Sequence, residues 1–317
     1  MPAGKPRKHH YLPRFYLAGF TSSGEADDDL CVFDTEDFRR WRATVQNLAH
    51  QRDLYMIQDV DAPAALERAL AKIEGDLAPA VKRLIETKTF TYDDDGVKVL
   101  NFVALMASRV PQVMEQPHEL MDKVGKAMLE LSVATRERWE SVCAQYEAAG
   151  GEPSSISYEQ MKDFAERGEY SIRVDQNTLL SLMLRSVDVI LPWLFRRSWT
   201  VGVAEAGTHF VCSDRPVSLI WTTDKRPAWA ISPGFALPWA AVVMPMSRDV
   251  AIFGMFGPQR GTVNLDLSDV AMVNSDIAGH GRYIFSGEPD FCWLTGDLRV
   301  ANAAELLEAL QRDKKVQ

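Results

Sequence analysis

The sequence predicts an α+β fold in which a helical middle section packs on a C-terminal, mainly antiparallel sheet. Three observations carry that reading. Apolar residues recur three or four apart between residues 61 and 195. After Ser198 the chain turns to short β-branched and aromatic runs separated by Gly, Pro and Asp. Helical and strand-like stretches are segregated along the chain rather than alternating as βαβ units.

Taken in order, the first 60 residues are mixed. Residues 13–20 read as a short helix with Pro13 in its first turn. Residues 24–29 form an acidic loop, residues 30–33 a strand ended by Asp34, and residues 41–45 and 53–57 are further strand candidates. From Asp61, a plausible N-cap, Leu66, Leu70, Ile73, Leu77, Val81 and Leu84 make one apolar helix stripe. Helices are expected over 97–113, after the turn Asp93-Asp94-Asp95-Gly96, and over 121–148, broken by Gly150-Gly151-Glu152-Pro153. Ser157 with Gln160 reads as a capping box opening a helix to Arg167. The apolar helix 178–195 is expected to be buried against the C-terminal sheet. Strands are expected over 199–203, 209–212, 217–222, 239–244, 250–255 and 282–285, with helices over 267–279 and 302–312. The whole, residues 1–317, reads as one integrated domain, with a subdivision at 1–197 and 198–317.

Composition narrows the function classes. A chain of 317 residues with 46% hydrophobic and 25% charged residues can bury a large core. Its net charge of −9 disfavours nonspecific binding to nucleic acid or anionic membrane. Lys5, Arg7, Lys8 and Arg14 nonetheless gather around His9 and His10, a local patch suited to one small anionic or phosphorylated ligand. Cys31, Cys143, Cys212 and Cys292 are widely spaced and read as reduced thiols. No apolar leader follows the polar start, and the 179–195 run holds Arg185, Asp188 and Pro192, so a cytoplasmic protein without a membrane span is expected.

Several polar residues are candidates for chemistry. Glu67 and Glu74 lie two turns apart on one helix face, about 10 Å by helix rise. Arg109 shares a face with Phe102, Leu105, Met106 and Val113, so its guanidinium requires a carboxylate inside the fold, Glu67 or Glu74, or an anionic ligand. Ser213 and Asp214 follow a strand and precede Pro216, as a turn or as a carboxylate presented at a sheet end. Asn274 sits among apolar helix positions, as a core amide or a site residue. Walker A, GxGxxG, HExxH, GxSxG and zinc-type spacings are absent from the sequence.

Together these segments resemble the bacterial family catalogued as domain of unknown function 4238. The resemblance is carried by His10-Tyr11-Leu12-Pro13, Phe15-Tyr16-Leu17 and Phe20, by Asp53-Leu54-Tyr55, Glu67 and Glu74, and by Arg109 with Pro111. Ser213-Asp214-Arg215-Pro216-Val217, Met244-Pro245-Met246-Ser247 and Asn274 complete it, with Arg215 standing where an asparagine is expected. The resemblance implies that scattered polar positions converge; it implies no activity.

Two functions are weighed. In the first, a hydrolase acts on a phosphodiester or another phosphorylated substrate. His10, Glu67, Glu74 and Asp214 are catalytic, Arg14, Arg109, Ser213 and Asn274 hold substrate, and a divalent metal has Glu67, Glu74 and Asp214 as candidate ligands. In the second, the same cluster serves a small-anion or protein-binding module, a sensor, defence or toxin component without catalysis. The aromatic stretch with Trp221, Trp229, Phe235 and Trp239 is a further candidate interface.

Overall fold

Two short strands pin the start of the chain to its own later turn. In the computed structural model, which describes residues 8–223, 233–258 and 261–316, β1 (Lys8–His10) pairs antiparallel with β4 (His50–Arg52), His10 opposite His50. Alternation along β1 turns His9 into the interior and leaves His10 half-buried. Helix α1 (Arg14–Ala18) follows, with Pro13 at its N-cap as its fixed φ allows. Strands β2 (Asp29–Asp34) and β3 (Arg39–Thr44) form a hairpin. Residues 53–57, expected as a strand, instead turn back. Asp53 adopts a left-handed φ of 57°, a conformation Asp tolerates, and its carbonyl accepts the Met56 N–H.

The middle is helical. Helix α2 (Ala65–Thr87) buries Leu66, Leu70, Leu77, Val81 and Leu84 and leaves Ile73 outside. Helix α3 (Asp94–Ser108) is capped by Asp93, whose carboxylate accepts from the Asp95 and Gly96 N–H groups. Then come α4 (Pro111–Ser132), α5 (Arg136–Ala148), α6 (Tyr158–Arg167) and α7 (Gln176–Phe195). The single helix expected over 121–148 is two, because Thr135 caps a new start by accepting from the Arg138 N–H. The Ser157–Gln160 capping box forms as its spacing predicts.

The chain divides into two compact units, residues 112–179 and the remainder. Within the smaller, Asp122 accepts from the Ile172 N–H at 2.8 Å, His118 Nδ1 accepts from the Val174 N–H at 2.9 Å, and Phe164 stacks on Tyr170. These contacts tie the stretch after α6 to α4.

In the larger unit, β5 (Ser198–Ala204), β7 (Ser218–Trp221), β8 (Ala240–Pro245), β9 (Val250–Met255) and β10 (Gly261–Leu265) form a sheet ordered β10-β5-β9-β8-β7. All its pairs are antiparallel except β10 with β5. A second sheet, ordered β3-β2-β11-β6, joins the N-terminal hairpin to β6 (Cys212–Ser213) and β11 (Tyr283–Ser286). The fold is therefore mixed, with its helices mostly in the middle, but the expected single C-terminal sheet is corrected. Leu30 to Phe33 of β2 are all buried, and such a strand needs neighbours on both edges and cover on both faces. Helix α8 (Leu267–His280), the pair β12 (Trp293–Leu294) and β13 (Val300–Ala301), and α9 (Ala303–Val316) complete the chain. Phe33, Phe210, Val243, Ile277, Ile284 and Trp293 share one core cluster.

Helix α7 departs from expectation. Burial against the sheet is the expectation, yet Val189 is 66% and Phe195 49% exposed, and Leu182 and Leu184 are also open. Only Leu179, Leu180, Met183 and Leu194 are buried on it, a narrow stripe. Arg185 and Asp188 interrupt the apolar surface, so full burial would strand two charges. Among the described residues, this 20-residue helix alone is long and apolar enough to cross a membrane. Just beyond it, Arg197 is buried and donates to the carbonyls of Ala240, Gly254 and Phe235. Burial lowers its pKa to about 10. Trp229 and the rest of residues 224–232, part of the aromatic candidate interface, lie outside the described residues, as do Lys5 and Arg7 of the basic patch.

Candidate functional site

Arg109 is the centre of the polar cluster. Pro111 forces α3 to stop, and Arg109 takes the C-cap with its N–H bonded to the Leu105 carbonyl. Its side chain is fully buried. Nε donates to the Tyr11 carbonyl at 2.7 Å, one terminal nitrogen to the His10 carbonyl at 2.6 Å, and the other to Glu74 Oε1 at 2.6 Å. The guanidinium lies 5.6 Å from the Tyr55 ring centre, and the Tyr55 hydroxyl donates to the Arg109 carbonyl at 3.2 Å. Burial raises the Tyr55 phenol to about 12.

His9 completes the inner layer. Its Nδ1 accepts the Tyr55 N–H at 2.9 Å and lies 3.8 Å from Glu67 Oε2, and its ring stacks on Tyr55. Glu67 is about one quarter exposed. Burial pushes its carboxyl above the ordinary range, His9 and Arg109 draw it back, and Glu74 adds to the rise. His9, Tyr55, Glu67, Glu74 and Arg109 thus link β1, the turn after β4, α2 and the end of α3.

His10 faces the other way. Its Nδ1 bonds the Leu48 carbonyl at 3.1 Å and its ring meets His50 edge-on at 5.6 Å. Burial first, then His50 and Arg14, lower its pKa from an ordinary 6.5 to about 4. The ring is neutral in the fold but charged in the unfolded chain between those values, so stability is present above pH 6.5 and lost as pH falls toward 4. Discounted for screening at a partly exposed ring, the loss is about 1–2 kcal/mol. Urea unfolding at pH 7 and 4.5 should show it, and His10→Gln should reduce the difference between the two pH values.

Asp214 and Asn274 belong to a second, interior group. Asp214 is fully buried; Oδ1 accepts the Tyr283 N–H at 3.2 Å and its own N–H donates to the Tyr283 carbonyl at 3.0 Å. Gly281 makes room for it, since a Cβ there would stand 2.8 Å from Oδ1 and 2.6 Å from Ser213 Cβ. The Ser213 hydroxyl donates to the Arg215 carbonyl and accepts its N–H, closing a local turn. Asn274 Oδ1 accepts the Val211 N–H at 2.9 Å, and Nδ2 donates to the carbonyls of His209 and Cys292, each at 3.0 Å. Tyr11 stands between the two groups. Its phenol is pushed up by burial and next by the charge of Asp214, and the Arg109 guanidinium holds its carbonyl.

The candidate residues differ in their access to solvent. His10, Glu67, Glu74 and Arg14 reach the surface around β1 and α2, while Arg109, Ser213, Asp214 and Asn274 are closed inside. Arg109 and Asn274 hold main-chain groups where substrate contacts were expected, and Ser213 is taken up by its own turn. Among the described residues no three His, Cys, Asp or Glu side chains gather as a metal-holding group. Glu67, Glu74 and Asp214 consequently do not fit a shared divalent ion. Sequence reasoning missed His9, Tyr11 and Tyr55 as partners in the cluster. The period-two alternation of a strand over 8–10 would have separated His9 from His10.

Two larger clefts of the same unit lie elsewhere. One, of about 630 Å³, is lined by His209, Arg248, Glu288 and Cys292 among others. The second, of about 770 Å³, runs between α1 with its following loop, the middle of α2 and the turn joining β8 to β9.

Residues 8–275 match the family model described as Protein of unknown function (DUF4238), and the chain belongs to that family. No curated protein and no solved structure matches it.

Proposed function

We propose that this member of a family of unknown function acts by binding, and that the cluster around Arg109 is a clasp holding the N-terminal segment on the helices. One observation carries the reading: the guanidinium bonds two main-chain carbonyls of residues 10 and 11 and the Glu74 carboxylate, the partners a structural arginine takes. An anion clamp needs donors facing solvent or a cavity, and Arg109 is closed to both. The clasp fixes α1 and the loop after it, and these form one wall of the 770 Å³ cleft.

A hydrolytic reading keeps one point in its favour. Glu67 is partly exposed, lies 3.8 Å from His9, and burial raises its carboxyl pKa, as suits a general acid. Glu67→Gln separates the two. A clasp reading expects Glu67→Gln to change stability by less than about 1 kcal/mol, or to raise it, because burial already disfavours the charge. Glu74→Gln should cost about 1–3 kcal/mol, because it weakens a charge-assisted bond to a buried guanidinium. Hydrolysis of bis(4-nitrophenyl) phosphate with magnesium, manganese or zinc should not exceed the uncatalysed rate. Turnover that disappears in folded Glu67→Gln would overturn the binding reading.

A further inference from the structure

Helix α4 turns a continuous apolar face to solvent. Leu120, Met121, Val124, Met128 and Leu131 are each between 43% and 63% exposed. On a helix wheel they fall within an arc of about 100°, the width a globular helix commonly turns to its core. A different face of α4 is the one its own unit covers. Asp122 and His118 accept the Ile172 and Val174 N–H groups there, and Gly125 leaves room for the Ile172 side chain. Met114 alone is buried among the 22 residues of the helix.

The smaller unit as a whole is short of a core. Of residues 112–179, only Met114, Val133, Ala165 and Leu179 are buried. Helix α5 buries none of its 13 residues. A helix of that length is marginal alone in water, and a unit of this size normally buries more than half the surface of its chain. The open face of α4 is where further burial is available.

Spacing along that face selects the kind of partner. Met121, Val124, Met128 and Leu131 stand three, four and three apart, the a and d positions of a coiled-coil seam, which takes another helix. The flanking e and g positions hold His118, Gly125, Ser132, Leu120 and Ala127, so no carboxylate or ammonium borders the seam. Two copies laid antiparallel, centred between Val124 and Met128, set Met121 against the partner's Leu131 and Val124 against the partner's Met128. Every layer is then an a residue facing a d residue, as antiparallel pairing requires. In the same register Lys123 comes within one residue of level with the partner's Glu130, a charge match that a two-fold axis repeats. The five open side chains present roughly 500 Å² per copy, so pairing buries about 1,000 Å², the threshold of a specific interface. A lipid surface fits less well. The polar side of α4 sets Glu115, Glu119, Asp122 and Glu130 against Lys123 and Lys126, the wrong balance for anionic headgroups.

We infer that the apolar face of α4 is a homodimer interface, filled by the same face of a second copy in antiparallel register. The inference goes beyond the clasp reading, and neither depends on the other.

Sedimentation velocity of the full chain between about 1 and 100 μM tests it, a range that spans micromolar affinity. A species of twice the 35.6 kDa chain mass should accumulate with concentration. Val124→Asp with Met128→Asp should weaken dimerisation at least about a hundred-fold, because each copy then brings two carboxylates into the seam. Both side chains are exposed in the single chain, so circular dichroism of the dilute variant should match wild type. Met128→Lys, with one charge, is the second variant should the double one fail to fold. Register is read by oxidation of Met121→Cys and Leu131→Cys chains. Mixed, they should form a covalent dimer absent from wild type; separately they should not, since like positions lie about 15 Å apart along the axis, beyond disulfide reach. A wild-type chain monomeric throughout the range would overturn the inference, and its flotation with phosphatidylglycerol vesicles would assign the face to lipid instead. A dimer unchanged by Val124→Asp with Met128→Asp would also overturn it, as would covalent dimers from either cysteine variant alone.

Discussion

Arg109→Met should lower unfolding free energy by roughly 3–5 kcal/mol, the cost of removing one partner from a buried ion pair. Methionine preserves most of the side-chain volume, so the loss reports polar partners rather than a cavity. The carbonyls of His10 and Tyr11 lose their donors, and Glu74 faces the interior without its counter-charge. Arg109→Lys should recover only part of this, because an ammonium cannot span the three partners that the planar fork reaches. Arg109→Met with Glu74→Gln should also recover part, by removing the stranded charge while the two carbonyls stay unpaired. Urea unfolding of the four proteins gives the comparison. A loss below about 1 kcal/mol in Arg109→Met would mean that the clasp does not hold the segment. Because β1 and α1 both depend on these bonds, proteolysis within the first 20 residues should accelerate in the same order.

Asn274→Ala should cost a similar amount, roughly 3–5 kcal/mol, since three main-chain groups, one buried and two part-buried, lose a partner at once. The amide joins the strand-like run at 209–211 to the chain at Cys292 through one α8 side chain. Asn274→Asp is the sharper variant. The carboxylate retains the shape and can still accept the Val211 N–H, but it offers no donors and sets negative charge against the carbonyls of His209 and Cys292. It should therefore be at least as damaging as alanine near neutral pH and should recover as pH falls and the acid protonates. A substrate-binding asparagine would behave otherwise, with near-native stability in both variants. Thermal and urea unfolding at pH 7 and pH 5 distinguish the two outcomes.

These two residues show how far a single sequence reaches toward a site. Arg109 on an apolar helix face signalled burial and the need for partners, and Glu74 was among those named. The main-chain carbonyls of His10 and Tyr11 carry no sequence signal, because every residue has one. Only the antiparallel pairing of β1 with β4 brings them to the guanidinium. Asn274 among apolar neighbours likewise announced a buried amide, but not that its bonds would all go to main chain. Asp214 and His10 were expected to share a hollow. Strand alternation leaves His10 half-buried at the surface, whereas Asp214 is closed inside and bonded to the Tyr283 main chain of β11.

Local pattern determined much of this molecule by itself. The α2 stripe, the Ser157–Gln160 box and the strands around 199–203 and 250–255 follow from periodicity and short-range hydrogen bonding, which act within a few residues. Tertiary structure alone decided which strands share a sheet, that β2 and β3 join β11 and β6, and that α7 keeps much of its apolar surface open. It also decided that Pro79, inside the continuous helix α2, faces a cleft rather than the core. Those outcomes depend on contacts between residues hundreds apart, whose free energies are collective and leave no mark on any one stretch of chain.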